Sequence, residues 1–265
     1  MKKIIILGVA MTVVIAMLVS CEKNKIDKIG TDPSNDSYPA TAHVIYKAVT
    51  DIDGNVYDAV QIGNQVWMAE NLRTTRYADG SVIMPGLTVS DLVPLRYFPA
   101  SNGDNVSKYG YLYNWLAVMR DAEGSDNNSS KVQGVCPNGW HVPSDAEWVE
   151  LTSYVKSQSE YWCDETSENV AKSIASNDGW LEYGVEEECA VSHDPSVNNA
   201  TGFSARPAGS YWGFYSYFGY SANFWSATAL NDSMAYGHSV GFEDVTIYRN
   251  YYYTNIAFSV RCVRD

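Results

Sequence analysis

Positive charge is scarce in this chain of 265 residues, which contains 18 Lys and Arg against 31 Asp and Glu. The formal net charge is −13, and loss of a leader containing Lys2 and Lys3 would change it from −13 to −15. Proteins that bind nucleic acid neutralise phosphates with clustered Lys and Arg, and the sequence contains no basic cluster. We therefore exclude nucleic acid as the principal partner.

The spacing motifs of zinc and redox sites are also missing, and the one hydrolase-like motif lacks the context it needs. None of the five cysteines is in CxxC spacing, and no histidine among His43, His141, His193 and His238 has the i,i+4 partner of a helical metal site. Residues 237–241 match the G-x-S-x-G elbow, but that motif needs a strand-to-helix turn and a later histidine, and no histidine follows His238. We expect no catalytic residue and no metal ligand, and we interpret residues 237–241 as the end of a strand.

Residues 51–55 (DIDGN) have the composition of a calcium-binding loop but not its spacing. An EF-hand loop requires Gly at position six and a bidentate Glu at position twelve, whereas Gly54 is fourth and Ile62 is twelfth. These positions predict a hairpin turn instead. We expect no cofactor, with a structural calcium ion as the alternative left open.

The first 21 residues carry the features of a bacterial lipoprotein signal. Two lysines supply a positive start, and Ile4 to Val19 is an apolar run, marginal for spanning a bilayer core of about 30 Å and typical of an export signal. Residues 18–21 (LVSC) resemble a lipobox, in which the cysteine is acylated and becomes the mature N-terminus. We predict a signal peptide over 1–20 and a lipidated Cys21; a simple cleaved signal and an uncleaved anchor are the alternatives.

A polar segment follows this leader. Residues 21–42 contain Pro, Ser and Asn among polar neighbours, which predicts a flexible tether, and residues 43–265 are enough for a single domain. We expect an exported protein that acyl chains hold in the bacterial envelope, at the outer membrane. Glu22 alone does not decide between a periplasmic and an outward-facing domain.

An even number of cysteines remains once Cys21 is acylated. In an oxidising compartment, Cys136, Cys163, Cys189 and Cys262 predict two disulfides. Four cysteines allow three pairings, and the sequence spacing leaves all three open.

Hydrophobic patterns predict strands, two helices and long loops. Residues 43–68 indicate three short strands with turns at Asp-Gly and Gly-Asn. A helix is predicted from Ser144 to Ser157, beginning with a capping box that Ser144 forms with Glu147, and a second over 168–176. Residues 111–119 are apolar nearly throughout and remain unassigned. The second half is rich in Gly, Ser and Tyr and predicts antiparallel strands joined by irregular loops.

Seven ordered stretches together resemble the Fibrobacter succinogenes major paralogous domain family, which is found in exported proteins and lipoproteins. They cover residues 51–57 (DIDGNVY), 62–72 (IGNQVWMAENL), 109–115 (YGYLYNW), 136–148 (CPNGWHVPSDAEW), 202–209 (GFSARPAG), 224–226 (FWS) and 259–265 (SVRCVRD). Because they run in family order over most of the chain, the resemblance is specific.

The resemblance implies an α+β fold of the C-type lectin-like class, with twisted antiparallel sheets, two helices and long irregular loops. It also implies that Cys136 pairs with Cys262, which leaves Cys163 with Cys189. It supplies no catalytic or ligand-binding residues. The Glu-Pro-Asn and Gln-Pro-Asp motifs of calcium-dependent sugar-binding lectins are missing, so we do not predict a calcium-bridged sugar site.

Aromatic residues are abundant, with 20 Tyr and 8 Trp. Residues 211–220 and 248–253 combine them with Gly, Ser and Asn, a composition that recognition loops use. About half should be core, because alternate residues of a strand face opposite ways. The candidate ligand-binding residues are Tyr211, Trp212, Tyr215, Tyr217, Tyr220, Tyr248 and Tyr251.

These observations favour a non-enzymatic, lipid-anchored envelope protein that binds a glycan or an envelope protein through its Gly/Tyr-rich loops. The alternative is a structural or assembly module of the envelope without a small ligand. An enzyme on a scaffold like that of formylglycine-generating proteins ranks third, because such enzymes rely on reactive cysteines and the four mature cysteines here are expected to form bridges.

Overall fold

The computed structural model describes residues 38–39, 42–120, 122, 131–182 and 184–265. The predicted signal peptide, Cys21 and most of the predicted tether lie outside these ranges. Within them the α-helices are α1 (Val106–Tyr109), α2 (Trp115–Met119), α3 (Asp145–Ser157) and α4 (Ala171–Ile174). None of the helices in the described part of the chain has the length and apolar character needed to cross a bilayer.

Strands make up most of the regular structure in the described ranges. They are β1 (His43–Thr50), β2 (Val56–Ile62), β3 (Gln65–Met68), β4 (Met84–Pro85), β5 (Leu95–Tyr97), β6 (Leu112–Asn114), β7 (Trp140–His141), β8 (Ser210–Tyr211), β9 (Tyr215–Ser216), β10 (Ser221–Asn231), β11 (Met234–Gly241), β12 (Tyr248–Tyr253), β13 (Ala257–Phe258) and β14 (Val263–Arg264). Neighbouring strands pair antiparallel, with β4 and β5 as the parallel exception. The architecture is mixed α+β, with mostly antiparallel sheets and few short helices, and it confirms the predicted α+β class.

The strands form three sheets with the orders β1-β2-β3-β14-β7, β10-β11-β12 and β4-β5-β6-β13-β8-β9. The first sheet contains strands from both ends of the described chain, because β1 and β14 both belong to it. Val263 of β14 pairs with Trp67 of β3 on one side and with His141 of β7 on the other. Strands β7 and β14 therefore deliver His141 and the last residues of the chain to the beginning of α3.

The hairpin prediction at residues 51–55 is confirmed, since these residues join the antiparallel strands β1 and β2. Asp51 closes the turn: its Oδ1 accepts hydrogen bonds from the backbone N–H groups of Asp53 and Asn55, both at 2.9 Å. Its Oδ2 accepts from Asn55 Nδ2 at 2.8 Å and from Tyr57 Oη at 2.6 Å. Donors of the protein itself thus satisfy both carboxylate oxygens.

Helix α3 confirms the prediction for residues 144–157, including the capping box formed by Ser144 and Glu147. The second predicted helix is shorter than expected, because only Ala171–Ile174 is helical. The Asn169 N–H donates to Thr166 O and the Asn169 carbonyl accepts from Cys163 N–H, so the preceding residues close a turn beside a cystine. Residues 111–119 divide into β6 and α2 at Asn114, whose side chain caps α2 by accepting from Ala117 N–H.

A cluster of aromatic rings fills the core between the first sheet, α3 and β10. Trp148 of α3 lies 4.7 Å from the ring of Trp67 and 5.4 Å from that of Phe224. Phe203 packs edge-on against Trp67, Trp148 and Phe224. Trp67 and Trp148 are fully buried, so the start of α3 is fixed by packing as well as by its cap.

Residues 257–263, in the half of the chain for which antiparallel strands are predicted, do not form one continuous strand, because Arg261 turns into the core. Its guanidinium is fully buried and donates to Asn71 Oδ1 at 2.7 Å, to Met68 O at 2.9 Å, to Ser204 O at 2.6 Å and to Phe203 O. Burial lowers the pKa of Arg261 to about 9. The acceptors are carbonyl groups from two chain segments, residues 68–71 and 203–204, so Arg261 ties those segments to the end of the chain.

Both disulfides have the pairing that the family resemblance implies. Cys136 is bonded to Cys262, and Cys163 is bonded to Cys189. The first bond closes a sequence separation of 126 residues and the second a separation of 26. Since disulfides persist in oxidising compartments, the two bonds indicate an exported protein.

Candidate functional site

The first turn of α3 carries two carboxylates that point to opposite sides of the helix. Asp145 and Glu147 are two residues apart, which corresponds to about 200° around an α-helix. The Glu147 carboxylate accepts from Ser144 N–H at 2.8 Å, and the Ser144 hydroxyl accepts from Glu147 N–H at 3.2 Å. Each carboxylate also contacts its own buried histidine, His238 for Asp145 and His141 for Glu147.

His141 lies between two carboxylates. Its Nε2 is 2.8 Å from Glu147 Oε1, and its Nδ1 is 2.7 Å from Asp265 Oδ1. Burial opposes protonation of the ring, but the hydrogen bonds and charges of Glu147 and Asp265 outweigh burial and raise the pKa of His141. Burial likewise opposes ionisation of Glu147, yet hydrogen bonds from His141 and Ser144 lower the pKa of Glu147. The result is an ion-paired link between β7, α3 and Asp265.

A polar hollow of about 270 Å³ opens beside this link, with Lys131, Glu150 and Arg264 along its wall. Carboxylates engage both ring nitrogens of His141, so neither nitrogen is free in this arrangement to take a proton from a substrate. Each nitrogen faces a separate carboxylate. Within the ranges that the structure describes, no three His, Cys, Asp or Glu side chains converge to hold a metal ion.

Asp145 joins His238 to Arg249 on the other side of α3. Arg249 donates to Asp145 from Nε at 2.8 Å and from Nη2 at 2.8 Å, and His238 Nε2 lies 3.1 Å from Asp145 Oδ1. Burial opposes ionisation of Asp145, but hydrogen bonds from His238 and Arg249 lower its pKa to about 2. Burial lowers the pKa of His238, which is 3% exposed and stacks on Trp148. Arg249 is therefore a fixed, charge-compensated guanidinium whose side chain is 46% exposed.

The His141 link predicts that stability declines as the pH rises above 6.5, the ordinary pKa of histidine. Because the folded-state pKa is raised, this stabilisation is complete below pH 6.5 and is lost as the pH rises through the raised value. One proton gives a slope of at most about 1.4 kcal/mol per pH unit. We expect urea unfolding at a series of pH values to show this decline in the wild type, and His141→Asn to remove it.

His238 provides the matched control because its pKa shift has the opposite sign. A buried histidine with a lowered pKa contributes stability that is present above pH 6.5 and is lost as the pH falls below that value. His238→Asn should therefore alter the acid side of the stability profile and leave the alkaline side unchanged. An alkaline decline that persists in His141→Asn would contradict the assigned role of the link.

Arg249 borders a row of side chains that we name the tyrosine face, formed by the partly buried Tyr236 and the exposed Tyr251 and Tyr253. In the register of β11 and β12, His238 stands opposite Arg249 and Tyr236 opposite Tyr251, and Tyr253 shares the same side of β12. The Arg249 Cζ lies 4.0 Å from the ring centroid of Tyr236. Tyr251 and Tyr253 are 52% and 55% exposed. Together they form an aromatic surface on a strand, with a rigid guanidinium at one end.

The seven aromatic residues predicted from the sequence do not form one site. Tyr251 lies on the tyrosine face, whereas Tyr248 is 50% exposed on the opposite side of β12. Tyr252 lies on that opposite side too and packs against Phe258. Trp212 and Tyr217 are exposed elsewhere, in and just after the hairpin that joins β8 to β9.

Three of the predicted rings are covered to a large extent. Tyr211, a candidate ligand-binding residue, is 3% exposed, stacks on Tyr97 at 4.2 Å and donates from Oη to Leu87 O, so it belongs to the half of the rings expected in the core. Tyr215 is partly buried 4.8 Å from Tyr211. Tyr220 is partly buried edge-on to Phe242.

Sequence reasoning missed Tyr236, Tyr253 and Arg249. A signal was available for two of them, since strict alternation in residues 248–253 separates positions 249, 251 and 253 from positions 248, 250 and 252. Tyr236 could not be found in that way because its place depends on the register of two strands. The interpretation of residues 237–241 as strand is confirmed, since they lie in β11 between β10 and β12.

Comparison with known proteins identifies the family. No curated protein and no solved structure matches the chain. The sequence model of the Fibrobacter succinogenes major domain matches residues 60–264, a range that contains α3, both disulfides and the tyrosine face. The chain therefore belongs to the Fibrobacter succinogenes major domain family.

Proposed function

We propose that this protein is a non-enzymatic lipoprotein of the bacterial envelope whose C-type lectin-like domain binds a glycan on the tyrosine face. The observation that carries the proposal is the placement of exposed Tyr251 and Tyr253 beside a guanidinium that Asp145 holds with two hydrogen bonds. Flat rings beside a fixed donor group are the features with which a rigid surface recognises sugars.

The chemistry of these side chains suits a sugar. A tyrosine ring presents a flat apolar face to sugar C–H groups and a hydroxyl to sugar hydroxyls. Because a tyrosine has only two rotatable side-chain angles, ordering it on binding costs little conformational entropy. Tyr251 and Tyr253 are alternate residues of one strand, so their Cα atoms are separated by about 7 Å along a backbone that pairing holds in place.

The charge of the surface favours a neutral glycan over an acidic one. Asp145 compensates the charge of Arg249, so the guanidinium offers hydrogen-bond donors without a net positive field. The chain as a whole carries a net charge of −13, which repels anionic polymers at low ionic strength. A neutral polysaccharide avoids that repulsion.

The state of the two buried histidines supports a binding protein over an enzyme. Carboxylates engage both nitrogens of His141, and His238 is 3% exposed behind Arg249. Envelope anchoring through acylated Cys21 is supported by the leader sequence and by the disulfides, which indicate export. The lectin-like class is supported by the antiparallel sheets and by the Cys136–Cys262 bond next to the last strand.

A structural module of the envelope without a small ligand is the second candidate. Strand β12 stands at the edge of its three-stranded sheet, and the backbone groups of an edge strand can pair with another chain. In that case the exposed tyrosines would cover a protein interface.

Binding measurements on single-tyrosine variants test the proposal. We expect Tyr251→Ala and Tyr253→Ala each to weaken binding to a neutral glycan about tenfold, equivalent to about 1.4 kcal/mol, because each removes one stacking ring. The matched control is Tyr248→Ala, which removes a ring of similar exposure from the opposite side of the same strand. A glycan array on the purified protein would identify the ligand, and titration calorimetry would compare the variants.

The control decides the interpretation. Equal loss of affinity in Tyr248→Ala would place the ligand elsewhere on the domain. Unchanged affinity in both face variants would eliminate the tyrosine face as the glycan site. Absence of glycan binding, together with capture of an envelope protein that Tyr251→Ala abolishes, would favour the structural module.

A further inference from the structure

Two neighbouring loops of the six-stranded sheet end in side chains that face water. Leu87 and Leu92 are 92% and 90% exposed, and Phe214 and Tyr217 are 67% and 62% exposed. Exposed apolar residues are common singly, but grouped ones mark interaction surfaces. We name these four residues the apolar tip.

Hydrogen bonds from the interior hold the β4–β5 loop against the base of the β8–β9 hairpin. Tyr211 at the base of the β8–β9 hairpin donates from Oη to Leu87 O at 2.8 Å, and its ring stacks on Tyr97. Tyr97 Oη donates to Thr88 O at 2.8 Å. The backbone also approaches the ring of Tyr97 closely at Gly86, where a Cβ atom would lie 2.4 Å from a ring carbon. The leucines are thus held outward by an ordered loop.

The apolar tip is set in segments with almost no charge. Residues 207–220 contain no Asp, Glu, Lys or Arg, and Asp91 is the one charged residue in 82–95. Charged residues make up 18% of the whole chain, so these segments differ from the rest of a strongly acidic surface. This part of the protein can approach an uncharged or zwitterionic surface without losing the hydration of ions.

We propose that the apolar tip docks on the lipid surface to which the protein is anchored. Leucine and phenylalanine side chains enter the boundary of the acyl region, and tyrosine is favoured at the level of the headgroups. The protruding, aliphatic character of Leu87 and Leu92 fits a fluid lipid layer better than a flat sugar ring. The inference rests on the lipid anchor of the proposed function, and it is independent of the glycan site.

The anchor makes weak docking sufficient. Cys21 and the first residue of β1, His43, are separated by 22 peptide steps, which span at most about 75 Å when fully extended. Contact between the tip and the bilayer is then an intramolecular event with a high effective concentration. Four side chains can therefore orient the domain although they could not recruit it from solution.

The test measures the water exposure of the tip on vesicles. Since Cys136, Cys163, Cys189 and Cys262 are paired, the Cys21 thiol of residues 21–265, which include every described residue, can be coupled to a maleimide lipid in phosphatidylcholine vesicles. The same chain coupled to agarose beads is the reference. Hydroxyl-radical oxidation read by mass spectrometry should fall at least about threefold at Leu87 and Leu92 on vesicles, because side chains at the lipid boundary lose contact with water.

Val197 is the internal control, since it is 63% exposed outside the tip and its oxidation should be equal on both supports. Oxidation of Phe214 and Tyr217 should also fall on vesicles in the wild type. The variant L87D/L92D, which no longer docks, should return the oxidation of these two residues to the level seen on beads. Equal oxidation of the two leucines on vesicles and beads would overturn the proposal, as would an equal fall at Val197. The lipid anchor is tested separately by mass spectrometry of the N-terminal peptide of the natural protein. A failure of tip docking can therefore be distinguished from a failure of the lipid anchor.

Discussion

Replacing Arg261 by Met should lower the free energy of unfolding by about 3 to 5 kcal/mol, because a buried group with several hydrogen bonds is removed while its partners stay behind. Methionine keeps much of the volume, but it cannot donate to Asn71 Oδ1 or to the carbonyl oxygens of Met68, Phe203 and Ser204. Each acceptor left unsatisfied in the core costs about 1 to 3 kcal/mol, and partial relaxation reduces the sum.

Urea unfolding followed by tryptophan fluorescence would measure the effect. Arg264→Met is the matched control, because Arg264 is three residues further along and exposed, and we expect a change within about 0.5 kcal/mol. The loss of unfolding free energy in Arg261→Lys should lie between those of Arg261→Met and Arg264→Met, since an ammonium group donates to fewer acceptors than a guanidinium and lacks its planar fork. A loss below about 1 kcal/mol in Arg261→Met would contradict the assigned role.

Removing the Cys136–Cys262 bond should lower the free energy of unfolding by about 5 kcal/mol, the larger effect of the two disulfides. The bond closes a sequence separation of 126 residues, and the entropy lost by the unfolded chain increases with the logarithm of that length. The double variant C136A/C262A isolates the bond, and chemical denaturation of the oxidised proteins would measure the difference.

The second disulfide is the internal comparison. Its separation of 26 residues predicts a smaller loss of about 3.5 kcal/mol in C163A/C189A. The ranking of the two losses is more informative than either value, because side-chain packing contributes to both. A larger loss in C163A/C189A would show that packing around the cystines, and not chain closure, decides their contribution.

Local rules were sufficient for elements whose stabilising contacts are close in sequence. The hairpin at residues 51–55 and the cap at Ser144 depend on partners within six residues, so composition and spacing predicted both. The shortened helix α4 and the broken strand around Arg261 depend on distant groups. The Arg261 guanidinium, for example, reaches across 190 residues to Asn71.

The candidate sites likewise combine contacts that are close in sequence, which could be predicted, with contacts between distant residues, which could not. Alternation within β12 separates Tyr251 from Tyr248, but the pairing of Tyr236 with Tyr251 needs the register of two strands. The contact of His141 with Asp265 spans 124 residues, and that of His238 with Asp145 spans 93. No pattern in the sequence indicates that Asp145 and Glu147, two residues apart, each serve a different histidine.

The position of β1 determines how the domain responds to mechanical force. This strand is at the edge of its sheet and pairs with β2, with His43 opposite Gln61 at the end where the upstream chain enters. A pull on that upstream chain loads the pairs one after another, so β1 peels away at low force. The 126-residue separation closed by Cys136 and Cys262 cannot be extended, and tension on the upstream chain would therefore detach one strand and leave the cross-linked part of the domain folded.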